Sequence, residues 1–293
     1  MLFDETGIHL HQSDLKNHCL EKLRLETVAT GPRMENDAAT LGTAIHRMIE
    51  HELLVEAHDN LHDIRAHAAH MYVNLLEEYA AAGKPFALSS FGDHRRAVDY
   101  AAELATAWYK SSERERLLTA AEKPLVEWEF DLPFCEVEVK KNGKKAEIIP
   151  VFLAGMADIV WSAENVVWDW KTSGSEYRRW EYQRWGRQPD VYLWAASQAG
   201  LIVPNSEGLF TFEFKVFVRG QNPEFGAQSV TVNRSDKNFA WLQNSVGRLV
   251  NMAYNMGLER EWPTDDQHVL CSPKWCTFFD MCKGAHVNGE TWV

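Results

Sequence analysis

Residues 165–171, NVVWDWK, constrain the fold more tightly than any other stretch of the chain. Val166, Val167 and Trp168 form an apolar run of strand length, as in a central strand buried on both faces. The run closes in charge, at Asp169 and Lys171. Residues two apart on a strand point the same way, so these two share a face, with the carbonyl of Trp170 between them. Desolvating a carboxylate and an ammonium at the end of a buried strand is costly unless a metal ion or partner compensates. D-x-K alone is common at solvated strand ends, so other residues must decide.

Gly155-Met156-Ala157-Asp158 lies one strand earlier. The short connection Ser162-Ala163-Glu164 suits antiparallel neighbours, which brings Asp158 and Asp169 to one end of a sheet. Two carboxylates beside a lysine form a hydrolytic set. The acids hold a hard cation, and the cation activates water and stabilises charge on phosphate oxygens. The lysine holds the attacking water or the developing oxyanion. The competing reading is a structural ion pair between Asp158 and Lys171. Gly42-Thr43-Ala44-Ile45-His46 adds a histidine in the first turns of an amphipathic helix, with Glu50 one turn further on. Gln188-Pro189-Asp190-Val191-Tyr192 places Gln188 at a helix start and Tyr192 one turn later. Glu127, on a strand before a hairpin, is a further acidic candidate. Glu129 shares its face by alternation, and Glu127 is preferred.

The surrounding pattern is α/β: a central mixed sheet flanked by helices. Residues 1–122 read as a helical N-terminal part, 123–234 as the catalytic sheet core with helices, and 235–293 as a final helix and cysteine tail. Together they make a single domain. Ser13 is placed as the cap of a first helix running through Leu15, Cys19, Leu20 and Leu23. Further helices are expected over 43–54, 62–82 and 95–121, the last two separated by Gly83-Lys84-Pro85. Strands are expected over 125–132, 135–139, 146–152, 151–161, 165–171, 209–218 and 228–232, with a hairpin at Asn142-Gly143. A helical pair is expected over 177–198 and a long helix over 237–258.

The order of the four short motifs matters more than any one of them. G-x-x-x-H, G-x-x-D, D-x-K and Q-x-x-x-Y, over roughly residues 13–195, resemble the RecB-like nucleases of the PD-(D/E)xK superfamily. The resemblance implies a central mixed sheet of restriction-endonuclease-like type, with His46, Asp158 and Asp169 as ligands of Mg²⁺ or Mn²⁺ and Lys171 as the catalytic lysine. It also implies that Gln188 and Tyr192 organise the site and contact DNA.

Cys271, Cys276 and Cys282 crowd the C-terminus of a chain with only five cysteines. Thiolates at that density suit Zn²⁺ or an iron–sulfur cluster, either of which needs a fourth ligand. The iron–sulfur members of the RecB-like group, including the CRISPR-adaptation nuclease and AddAB-type nuclease domains, take one cysteine before the core and three after it. By that resemblance Cys19 completes a 4Fe-4S set. The four residues between Cys271 and Cys276 depart from the family's usual two. Zinc, with His268 or His286 as substitute ligand, is the rival, and Cys135 reads as core.

Arg178, Arg179, Arg184 and Arg187, interleaved with aromatic residues, suit a single-strand track. The net charge of −12 argues against a general nucleic-acid coat but permits positive charge focused at a cleft. No bilayer-length apolar run or signal peptide appears, so a cytoplasmic protein is expected. The function expected is DNA cleavage as an exonuclease or end-processing enzyme in recombination, repair, phage DNA metabolism or CRISPR adaptation. The DNA would carry a single-stranded portion or free end, and a helicase, recombinase or CRISPR-adaptation protein is the expected partner. No Walker-type phosphate loop occurs, so unwinding would come from another chain. The alternative is a non-catalytic cluster-bearing DNA-binding or scaffold subunit of a helicase–nuclease complex.

Overall fold

The structure is a computed structural model. It describes residues 1–15, 19–28, 35–55, 57–140, 146–178, 187–218, 227–260 and 262–264, together with Cys271, Cys276, Phe278 and Cys282. The chain divides into two compact units, one of residues 32–129 and 156–236, the other of residues 1–31, 130–155 and 237–293.

The first unit joins a helical layer to a mixed sheet. Its helices are α3 (Asp37–Leu54), α4 (Leu61–Ala81), α5 (His94–Tyr109) and α6 (Ser112–Thr119). Each start is fixed by a polar side chain that accepts a first-turn N–H: Asn36 from Ala39, Asn60 from Asp63, Asp93 from Arg96 and Ser111 from Arg114. α3 therefore begins at Asp37, six residues before the expected Thr43, just after a two-residue strand, β3 (Glu35–Asn36), that pairs in parallel with β4 (Phe86–Ala87). The helix expected over 95–121 is two helices, because the chain turns at Lys110 and restarts at the Ser111 cap.

The sheet of this unit follows the order β6, β7, β8, β9, with β6 at Glu147–Trp161, β7 at Val166–Ser173, β8 at Phe210–Val218 and β9 at Ala227–Arg234. β6 and β7 are antiparallel, β7 and β8 parallel, β8 and β9 antiparallel. A 3-10 turn at Ser162–Glu164 joins β6 to β7, and Asn165 closes it in the left-handed conformation that asparagine tolerates. Trp168 and Trp170 turn into the core of Leu41, Ile45, Met48, Tyr72, Leu104 and Trp108. The Trp108 and Trp170 rings meet edge to face with centroids 5.4 Å apart. Asp169 and Lys171 therefore take the opposite face, where α7 (Arg187–Gln198) packs its Tyr192 near Phe212. Helices on both faces of a mixed sheet make the architecture α/β, as expected.

The second unit departs from the expected helical N-terminus. β1 (Leu2–Phe3) runs antiparallel to β2 (Ile8–His11), and β2 lies parallel to the first half of β6, Ile8 opposite Val151. Four residues give too short an alternation to separate from helix by periodicity. Ser13 sits inside a single turn, α1 (Gln12–Leu15), rather than ahead of a helix; α2 is Leu20–Val28. The strands expected at 125–132 and 135–139 are one, β5 (Leu125–Val139), which pairs with β6. The two expected over 146–161 are likewise one, β6. Asn142-Gly143 and most of the first half of the pair at 177–198 lie outside the described residues. α8 (Asp236–Met256) packs on α2 around Leu23, Ala253 and Trp262.

Candidate metal centre

The β6–β7 ladder pairs Trp161 with Val166, Val160 with Val167 and Ile159 with Trp168, and then stops. The next facing pair by that register is Asp158 and Asp169. The main chains part at this point, and the Asp158 carboxylate accepts the Trp170 N–H at 2.5 Å instead. Two buried acids thus sit where the sheet opens, Asp158 being 6% and Asp169 2% exposed. The short antiparallel connection made this convergence legible.

α3 lies close over β7 at Gly42. A Cβ there would come 3.2 Å from Thr172 Oγ1, so glycine lets helix and strand approach. One turn later His46 Nε2 stands 3.0 Å from the Trp170 carbonyl, and its Nδ1 lies 3.5 Å from Asp158 Oδ1. A carbonyl only accepts, so in this arrangement Nε2 carries the proton and Nδ1 faces the acid.

Glu127 is the third member of the group. One ligand atom each from His46, Glu127 and Asp158 lie within 4.8 Å of one another. An octahedral ion with bonds of about 2.1 Å sets opposite ligands about 4.2 Å apart, so small side-chain movements would close this set on Mg²⁺ or Mn²⁺. Glu127 has φ +48°, a conformation non-glycine residues seldom adopt. That local break in β5 separates Glu127, half-buried toward the centre, from Glu129, which is exposed. Strict alternation puts the two on one face, which is why the sequence distinguished them poorly.

Asp169 is held differently. Lys171 Nζ pairs with its Oδ2, and Gln188 Nε2 donates to its Oδ1. Lys171 is thus partnered with Asp169, not with Asp158 as the structural-pair reading supposed. Gln188 and Tyr192, on the first turns of α7, are 2% and 4% exposed.

The electrostatics follow from this crowding. Burial pushes Glu127 up to about 7, and repulsion from Asp158 adds to it. Burial also works against the charged forms of His46, Asp158 and Lys171. The neighbouring opposite charges outweigh it, so His46 and Lys171 are raised and Asp158 is lowered. Burial and then the Asp169 and Asp158 charges raise the Tyr192 phenol, so it stays protonated as a donor.

Arg178 is exposed and Arg187 half-buried, with burial lowering the Arg187 guanidinium against the pull of Asp190. Arg179 and Arg184 lie outside the described residues, as do His268 and His286. Cys19, Cys271, Cys276 and Cys282 are half-buried in the second unit, and Cys135 is half-buried on β5. Gln228, which carried no signal in sequence, grips the main chain of Tyr177. Its Oε1 accepts the Tyr177 N–H at 2.6 Å and its Nε2 donates to the Tyr177 carbonyl at 2.8 Å.

An imidazole, three acids and an ammonium around one sheet opening make a candidate site for a divalent metal ion. Comparison by sequence gives the chain its family: the profile described as PD-(D/E)XK nuclease superfamily matches residues 15–283. The chain belongs to the PD-(D/E)XK nuclease superfamily, and is thereby a nuclease hydrolase of a metal-dependent kind. No curated protein matches the chain. Among solved structures, that of SSO0001 is 14% identical with TM-score 0.34, over 90% of this chain and 94% of the other. Candida albicans Rai1 in complex with pU5-Mn²⁺ is 9% identical with TM-score 0.21, over 98% of this chain and 74% of the other. Among the described residues no helix is long and apolar enough to cross a membrane.

Proposed function

We propose that the chain is a RecB-like deoxyribonuclease, an exonuclease or end-processing enzyme. It would cut DNA carrying a free end or a single-stranded portion, as a single cytoplasmic nuclease domain serving recombination, repair, phage DNA metabolism or CRISPR adaptation. A helicase, recombinase or CRISPR-adaptation protein would be its partner. The observation that carries this reading is the convergence of His46, Glu127, Asp158, Asp169 and Lys171 on one opening between β6 and β7.

His46, Glu127, Asp158 and, after it turns from Lys171, Asp169 would hold the cation, with the Trp170 carbonyl beside them. A divalent ion there supplies Lewis acidity toward the phosphate and acidifies a water. Lys171 stays charged beside Asp169 and can orient the attacking water and offset charge building on the phosphate. Gln188 fixes Asp169, and the protonated Tyr192 donates toward the acids or the strand. Arg178, Arg179, Arg184 and Arg187 would line the strand's path. The test is cleavage of end-labelled single- and double-stranded DNA, and of RNA, by anaerobically purified protein with Mn²⁺ or with EDTA. Mn²⁺-dependent loss of label from DNA supports the reading; inert DNA, or cleavage of RNA alone, overturns it.

Cys19, Cys271, Cys276 and Cys282 are proposed to hold a 4Fe-4S cluster. What supports this is how the segments next to these cysteines meet. Trp262 N–H donates to Glu21 Oε2 at 2.6 Å, Glu21 N–H donates to the Pro263 carbonyl, and Arg24 Nη1 donates to the Leu258 carbonyl at 2.8 Å. Cys276→Ser is expected to remove the brown colour and the absorption near about 410 nm and to lower the melting temperature. Colourless anaerobic wild-type protein that contains only zinc would contradict the cluster.

A further inference from the structure

Six of the 12 histidines fall between residues 46 and 70, and the nuclease centre uses only His46. Three others form a cluster where α3 ends and α4 begins. The ring centroids of His51 and His67 are 4.5 Å apart, those of His58 and His67 4.9 Å, and those of His51 and His58 6.0 Å. Three imidazoles packed so closely need a reason, because each carries a polar edge.

The hydrogen bonds show which edges are satisfied. Glu52, 2% exposed, accepts from the His58 main-chain N–H at 2.6 Å and faces His58 Nδ1 at 2.5 Å with the same oxygen. Arg114 Nε donates to its other oxygen at 2.6 Å, and Arg114 Nη2 reaches the His58 carbonyl. A carboxylate on Nδ1–H fixes the tautomer that leaves the His58 Nε2 lone pair available, as carboxylates do behind metal-bound histidines. His51 Nδ1 and His67 Nδ1 are buried and have no hydrogen-bond partner among the described residues. Two orphaned nitrogens and one pre-oriented lone pair are what a borderline cation satisfies.

The spacing agrees. An imidazole nitrogen binds Zn²⁺ at about 2.0–2.1 Å, so two rings sharing a tetrahedral ion have centroids about 5 Å apart. The three measured separations bracket that value. As placed, the rings do not offer one nitrogen each within 4.8 Å of the others, so binding requires a turn about χ2, a broad torsion for histidine. Burial, then His51 and His58, push His67 down to about 4, which keeps its ring neutral at neutral pH.

We propose that His51, His58 and His67 form a second metal site that takes one Zn²⁺, oriented by Glu52 and separate from the nuclease centre. Nitrogen donors select Zn²⁺ over Mg²⁺, and a water would complete the shell. The site would fasten the end of α3, the helix that carries His46, to α4.

The test compares the full-length wild type with His51→Ala and His67→Ala. Each protein is stripped with EDTA, equilibrated with ZnCl₂ in excess Mg²⁺, gel-filtered and analysed for zinc per chain. One Zn²⁺ fewer in each variant is the expected result. Equal zinc content and equal zinc-induced rise in melting temperature in all three would overturn the site. Should the variants not fold, diethyl pyrocarbonate labelling of the wild type decides. Zinc should protect His51, His58 and His67, and equal labelling with and without zinc contradicts the proposal. Neither readout requires the nuclease reading to hold.

Discussion

Lys171→Ala is expected to lower the single-turnover rate of DNA cleavage by about 10³-fold, the scale of losing a donor aimed at developing charge. The Lys171 ammonium pairs with Asp169, and Asp169 is almost wholly buried. Its removal takes an ion pair from that carboxylate, to which Gln188 also donates. Weakening the compensation of a buried charge is destabilising, so the metal-free variant should melt several degrees lower, at a cost of about 3 kcal/mol or more. Mn²⁺ should recover part of that loss by neutralising the acid, without restoring the rate. Lys171→Gln, which keeps a donor but not the charge, should melt higher than Lys171→Ala and remain slow. Wild-type cleavage by either variant would remove Lys171 from the site.

Asp158→Asn should be as damaging to activity and gentler to the fold. The asparagine Oδ1 can still accept the Trp170 N–H, so the opening between β6 and β7 survives. What is lost is the negative charge facing His46, and with it several kcal/mol of metal-mediated stabilisation, about 10³-fold in rate. The variant also changes a titration. In the wild type, burial and Asp158 hold the Glu127 carboxyl up to about 7. Below that pH the folded protein carries the proton on Glu127, and above it the carboxylate is available. A proton there competes with a cation, so Mn²⁺ affinity should be full above about pH 7 and weaken as pH falls through it. Without Asp158 the repulsion is gone, and the weakening should begin at lower pH. A Mn²⁺-affinity profile of the same midpoint in both proteins would mean Glu127 and Asp158 do not share a site.

The centre was legible where it depended on strand geometry and obscure where it depended on departures from it. The four-residue connection between β6 and β7 announced antiparallel neighbours, and the resulting register sets Asp158 opposite Asp169. Gly42 and His46 were visible as a spacing, although the reason for the glycine, Thr172 beneath it, is a tertiary fact. Glu127 was hard to choose over Glu129 because alternation makes them equivalent, and only the positive φ at Glu127 separates them. Partner choice was also hidden: Lys171 has two acids within reach of its strand end, and packing gives it to Asp169. The N-terminal strands escaped because β2 is four residues long and owes its state to β6, far along the chain. The histidine cluster escaped for a similar reason, since His51, His58 and His67 follow no ligand spacing and meet only when α3 and α4 fold together.

Mn²⁺ binding followed by electron paramagnetic resonance tests the centre most directly, because it needs neither substrate nor partner. At pH 8 one Mn²⁺ per chain should bind to the wild type, and His46→Ala should bind it about 10–100-fold more weakly. Wild-type protein that leaves Mn²⁺ free in solution, or a His46→Ala variant that holds it equally well, would contradict a cation gripped between α3 and the β6–β7 opening.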